Sequence, residues 1–169
     1  MVYTILGFMG SGKTTIGKKL ANKLNCDFVD LDKYIEAALD TNISSIFSDK
    51  GEPYFRDIET RYLKKILELK NSVISLGGGT PCFNNNMDII KSSSKSIFID
   101  LPVKMLADRL KNARSKRPLI NNRSDIELNR YIETLRSERM PYYDQADLIV
   151  KERENILHEI ISWISTNKH

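Results

Sequence analysis

The sequence predicts an α/β fold, a five-stranded parallel sheet with helices on both faces, and three observations carry that prediction. Five short, apolar, β-prone runs recur along the 169 residues. Stretches with helical apolar spacing separate them, as parallel neighbours require crossover connections. Finally, Gly7, Asp30, Gly77 and Asp100 all fall at the carboxyl ends of predicted strands, the edge where open α/β sheets bind ligands.

Taken in order, residues 2–6 form a buried first strand that ends at Gly7. A helix starts near Lys13, with Ile16, Leu20, Ala21 and Leu24 on one stripe. Phe28 and Val29 open a second strand, closed by Asp30 and Asp32. Helical stretches at 33–39 and 43–49 precede a longer helix at about 53–69, whose Ile58, Tyr62, Ile66 and Leu69 share a face. Residues 72–76 form a strand cut off by Gly77-Gly78-Gly79, and 96–100 form another, with Pro102 opening a helix. A polar stretch at 112–123 interrupts the alternation before Ser124 and Glu127 supply a capping box for a helix reaching about Arg139. The last strand is 147–150, and Ile156, Leu157, Ile160, Ile161 and Ile164 line the last helix.

Length and a 41% apolar content suit one domain that can bury a core of useful size. Apolar runs are far too short to span a membrane, and no basic leader precedes the first strand, so a soluble cytoplasmic protein, a monomer with no membrane partner, is expected. Cys26 and Cys82 stand far apart, and the histidines are His158 and His169, so neither a zinc site nor a disulfide framework is expected. The net charge of +4 is too small to imply nucleic acid. Its distribution matters more: of ten arginines, seven lie between Arg109 and Arg139, a crowding that suits a seated anion or a solvated helical face.

Gly7-Phe8-Met9-Gly10-Ser11-Gly12-Lys13-Thr14 matches GxxxxGK[ST] between a predicted strand and a predicted helix. Such a loop turns successive N–H groups around phosphate oxygens at a helix N-terminus. Lys13 then reaches the β- and γ-phosphates, and the Thr14 hydroxyl ligates Mg²⁺. Neither a DxxG element nor an NKxD guanine reader occurs, so a GTPase is disfavoured and a small phosphotransferase fits better.

The residues resemble the shikimate kinase family, relatives of the nucleoside monophosphate kinases. The resemblance rests on GFMGSGKTTIG at 7–17, Asp30-Leu31-Asp32, Phe55-Arg56-Asp57-Ile58-Glu59, the triple glycine, Arg117-Pro118-Leu119, and Arg139 within Glu138-Arg139-Met140-Pro141-Tyr142-Tyr143. It implies a P-loop kinase fold as one domain over 1–169, with a substrate-binding segment at about 32–60 and a lid at about 112–124. It also implies transfer of the γ-phosphoryl of MgATP to the 3-hydroxyl of shikimate, on the route to chorismate and the aromatic amino acids.

By that resemblance Gly10, Ser11, Gly12, Lys13, Thr14 and Thr15 bind the nucleotide, with Arg109 against adenine. Thr14 and Asp30 serve Mg²⁺, Asp30 through water. Asp32 holds the reacting hydroxyl, although it also suits an N-cap for a helix beginning at Lys33. Arg56 and Arg139 bind the carboxylate, although Arg56 also suits a pair with Glu59. Gly78 and Gly79 bring bare backbone to the substrate, and Arg117 closes with the lid onto the transferring phosphoryl. Lys13, Asp32 and Arg117 are the catalytic set. Tyr142, Tyr143 and Trp163 are read as packing. Asn155 stands where many relatives carry proline in the adenine loop. Another small-molecule kinase of this fold, a non-catalytic nucleotide-binding module and a nucleic-acid binder are the competing readings.

Overall fold

A computed structural model describes residues 1–112, 124–151 and 154–167. Among these, the strands are β1 (Val2–Leu6), β2 (Asp27–Asp30), β3 (Ser72–Ser75), β4 (Lys95–Ile99) and β5 (Leu148–Val150). The helices are α1 (Lys13–Leu24), α2 (Leu31–Leu39), α3 (Ile43–Leu67), α4 (Asn86–Ser93), α5 (Val103–Lys111), α6 (Asp125–Tyr143) and α7 (Ile156–Thr166).

The strands form one parallel sheet in the order β2-β3-β1-β4-β5, with Ile5 in register with Ser75 on one side and Ile97 on the other. Successive strand residues point to opposite faces, which splits the core in two. Ile5, Val73 and Ile97 face one cluster, with Leu20 of α1, Leu106 and Leu110 of α5, Ile132 of α6 and Ile160 of α7. Leu6, Ile74 and Phe98 face the other, with Leu31 and Ile35 of α2, Phe55 and Leu63 of α3, Ile90 of α4 and Tyr143. Burial on both faces explains why apolar residues stand side by side in the middle strands, as Ile5-Leu6 in β1, Val73-Ile74 in β3 and Ile97-Phe98-Ile99 in β4.

The larger departures from the sequence expectation lie in the helices. The two stretches at 43–49 and 53–69 join as α3 across a break at Gly51 (φ 81°, ψ 171°), with Pro53 two residues beyond. Helix α2 begins at Leu31 with Asp30 as its N-cap, so Asp32 lies in the first turn and is not the cap. Helix α6 runs past Arg139 to Tyr143, starting from a capping box in which Ser124 N–H donates to Glu127 at 2.7 Å. Helix α4 was not anticipated at all; it supplies the crossover from β3 to β4 and buries Met87 and Ile90. Among the described residues no helix is long and apolar enough to cross a membrane.

Candidate active site

The loop between β1 and α1 turns through Gly10 (φ 82°) and Gly12 (φ 94°), a left-handed path that glycine alone follows without strain. Gly12 caps α1 without a side-chain bond, so the first-turn N–H groups remain directed at the cleft. Lys13 Nζ donates to the carbonyls of Gly7 (2.9 Å) and Phe8 (3.1 Å), which holds its charge across the loop. Next along α1, the Thr14 hydroxyl donates to Asp30 Oδ2 at 2.8 Å. The other oxygen of Asp30 accepts from Lys33 N–H, so one residue caps α2 and supports Thr14.

Three adjoining hollows surround this loop. A central cleft of about 380 Å³ is lined by Gly10, Lys13, Thr14, Thr15, Asp30 and Arg109, among others. Beyond Met9, Asp32, Gly77 and Gly78, which line both, lies a smaller cavity of about 150 Å³ walled by Arg56, Glu59, Gly79 and Arg139. On the other side, Gly12, Thr15 and Arg109 also line a hollow of about 410 Å³ that Glu154, Ile156 and Leu157 complete. Asp32 thus stands where the cleft of the glycine loop meets the arginine-walled cavity. It keeps some exposure to the cleft, yet burial of the rest, then the charges of Glu59 and Asp30, push its carboxyl up to about 6 against the opposing pull of Lys13.

Arg56 comes from the second half of α3, and its fork is fixed on several sides. Nε and Nη2 donate to Glu52 at 3.1 and 2.9 Å, Nη1 donates to Glu59 at 2.8 Å, and the guanidinium lies 4.0 Å from the Phe83 ring centroid. The Glu59 pairing and the cavity position both hold, so the two sequence readings of Arg56 do not exclude each other. Arg139 projects from α6 over the Phe8 ring, 5.5 Å from its centroid, and its buried Nη1 has no hydrogen-bond partner among the described residues. An unpartnered buried guanidinium nitrogen costs free energy unless an anion or water meets it. A Cβ on Gly79 would stand 2.7 Å from Arg56 Nη2, and one on Gly78 would stand 3.2 Å from Arg139 Nη1. The glycines therefore leave room for both forks.

The sequence-predicted residues Lys13, Thr14, Thr15, Asp30, Asp32, Arg56, Gly78, Gly79, Arg109 and Arg139 all line these hollows, as do Gly10, Ser11 and Gly12. Arg117, and with it all but the ends of the expected lid, lies outside the described residues. Arg109 Nη1 donates to the carbonyls of Gly10 and Ser11 at 3.2 Å, and Lys111 pairs with Asp125 at 3.0 Å, which gives both cations partners inside the fold. Asp100 is engaged by Arg136 at 2.5 Å and lines none of the three hollows.

The sequence offers Glu59 as the end of the 55–59 element and a partner for Arg56 but not as a site residue, yet it walls the cavity, is 1% exposed and accepts from the Thr80 hydroxyl at 2.6 Å. The available signal was a carboxylate in the buried stripe of Phe55, Ile58, Leu63 and Ile66.

The model of the shikimate kinase family matches residues 9–165. The chain belongs to that family. Among its relatives, the shikimate kinase of Bacteroides thetaiotaomicron is 39% identical over 150 residues, covering 89% of this chain and 86% of the relative. That of Persephonella marina is 38% identical over 160 residues, covering 95% and 94%. The crystal structure of the Bacteroides thetaiotaomicron shikimate kinase superposes with a TM-score of 0.91 at 34% identity, covering 100% of this chain and 99% of that one. A shikimate kinase from Acinetobacter baumannii in complex with shikimate gives 0.87 at 28% identity, covering 99% and 94%. The sheet order and helix set are those of the family's P-loop kinase fold.

Proposed function

We propose that this chain transfers the γ-phosphoryl group of ATP to the 3-hydroxyl of shikimate, in the pathway to chorismate and the aromatic amino acids. The single observation that carries the residue assignments is the position of Asp32 at the junction of a phosphate-binding cleft and a cavity walled by two arginines. A small hydroxylated carboxylic acid fits such a cavity: Arg56 and Arg139 take its carboxylate, Gly78 and Gly79 admit its ring, and Asp32 takes the hydroxyl nearest the phosphates.

Asp32 is ionised above about pH 6 and accepts the hydroxyl proton as the oxygen bonds to phosphorus and the bond to ADP breaks. Lys13 releases the loop carbonyls and meets the β- and γ-phosphates. Arg117, assigned from the family resemblance, stabilises charge on the transferring group as the 112–124 lid excludes water. Arg109 borders adenine, with Ile156 and Leu157 on the opposite wall.

The hydroxyl of Thr14 and the carboxylate of Asp30 are the hard oxygen donors that suit Mg²⁺, a cation that keeps most of its own waters. When bound there, Mg²⁺ neutralises phosphate charge. The same reading makes the protein a cytoplasmic monomer that acts on a free metabolite and has no nucleic-acid or membrane partner. Release of ADP by the purified protein, assayed with shikimate, gluconate and nucleoside monophosphates in turn, tests the proposal. Turnover with shikimate alone is the expected result, and faster turnover with any other acceptor overturns the assignment.

A further inference from the structure

The last turn of α6 meets the triple glycine through two residues. Arg139 and Tyr143 are four positions apart and share a face of the helix. Arg139 approaches Gly78, and the Tyr143 hydroxyl donates to the Gly78 carbonyl. Tyr143 is fully buried, and its ring stacks on Phe98 with centroids 4.8 Å apart. Core packing therefore fixes the ring, and the ring fixes the hydroxyl. Burial, partly offset by Arg139, holds the phenol above its ordinary range, so it stays protonated and remains a donor.

In a planar trans peptide the carbonyl of one residue and the N–H of the next point in opposite directions. The bond that draws the Gly78 carbonyl toward α6 turns the Gly79 N–H away from α6, and Gly79 walls the cavity that Arg56 and Arg139 share. A Gly-Gly peptide has little intrinsic preference between its two orientations, so an anchor decides which is populated. We propose that Tyr143 is a positioning residue: by fixing the Gly78–Gly79 peptide it presents the Gly79 N–H as a donor to the anionic end of the substrate, beside the two guanidinium groups.

This inference rests on the carboxylate reading given above, and the test separates the two. Tyr143→Phe keeps ring volume and stacking and removes only the hydroxyl. Shikimate affinity is expected to fall by about ten-fold, with kcat within about two-fold and ATP affinity unchanged. Phe98→Leu, which loosens the ring but leaves the hydroxyl, is expected to lower the thermal midpoint with a much smaller effect on shikimate. In the wild-type protein, the Gly79 amide resonance should shift on titration with shikimate; this readout stands even if the Phe variant folds poorly. An unchanged shikimate affinity in Tyr143→Phe, a matching loss for ATP, or a Gly79 amide that does not respond overturns the role of Tyr143. If Arg139→Ala also leaves shikimate affinity intact, the carboxylate reading itself has failed.

Discussion

Glu59 links Arg56 to Asp32: its carboxylate, 1% exposed, accepts from Arg56 Nη1 at 2.8 Å, and its charge follows burial as the next cause that raises Asp32 to about 6. Glu59→Gln keeps an acceptor for the Thr80 hydroxyl and removes that charge. The carboxyl of Asp32 then drops toward its ordinary value, so the acid limb of the kcat/KM profile, which reports the free enzyme, should move to lower pH. A pH–rate series on both proteins checks this, and an unmoved limb would mean that the titrating group is not Asp32.

Asp32 carries a stability cost of definite sign. Its folded value of about 6 lies above the ordinary carboxylate value of 3.8, so between those limits the folded state binds the extra proton. Folding is therefore favoured as pH falls through about 6 and opposed by the ionised group above it. Asp32→Asn should raise the thermal midpoint at pH 8 by roughly 2–4 °C, given about 1 kcal/mol in a domain of this size, while turnover collapses. The gain should vanish near pH 4, where wild-type Asp32 is already neutral; calorimetry at the two pH values distinguishes this from a general packing effect.

The two arginines should respond differently to truncation. Arg139 Nη1 has no hydrogen-bond partner among the described residues, so Arg139→Ala removes a substrate contact and breaks no ion pair like the one between Arg56 and Glu59. Shikimate affinity should fall by about ten- to a hundred-fold, the equivalent of roughly 1.5–3 kcal/mol, with ATP affinity retained. Arg56→Ala also leaves Glu59 buried without its cation, so a similar affinity loss should come with a clear drop in thermal midpoint. Titration calorimetry of both ligands, with melting curves, tests the contrast.

The sheet and the phosphate end were legible because each rests on local sequence. β1 carries apolar side chains for both faces, Ile5 for one cluster and Val2 and Leu6 for the other, and Lys13 and Thr14 follow a glycine pattern that has its own backbone geometry. Helix α4 was not legible: it has eight residues, only Met87 and Ile90 supply buried apolar side chains, and asparagines and serines flank them. The start of α2 lies two residues before the one expected at Lys33, because Asp30 and Asp32 offer the same capping chemistry and only the chain direction after β2 decides between them. The bond from Tyr143 to Gly78 joins residues 65 positions apart, and an aromatic residue near a helix end carries no mark of such a partner.

Gly79 offers the sharpest test of how the cavity is built. Its backbone is ordinary (φ −94°, ψ −15°), so alanine is tolerated there conformationally and the variant should fold. The added methyl would stand 2.7 Å from Arg56 Nη2 and 2.9 Å from Nη1, closer than van der Waals contact allows, so something must move. A guanidinium at the end of a flexible chain would normally swing aside at small cost. Here Glu52, Glu59 and the Phe83 ring all hold it, and displacement breaks charge-assisted bonds. Gly79→Ala should therefore lower shikimate affinity by about ten-fold or more and leave ATP affinity unchanged. The loss should also be non-additive with Arg56→Ala, since once the arginine is gone the methyl has nothing to displace. A double-mutant cycle on shikimate binding measures this directly. Full additivity would mean that the methyl acts on the substrate itself, and that the glycine at 79 serves the ligand's ring and not the arginine fork.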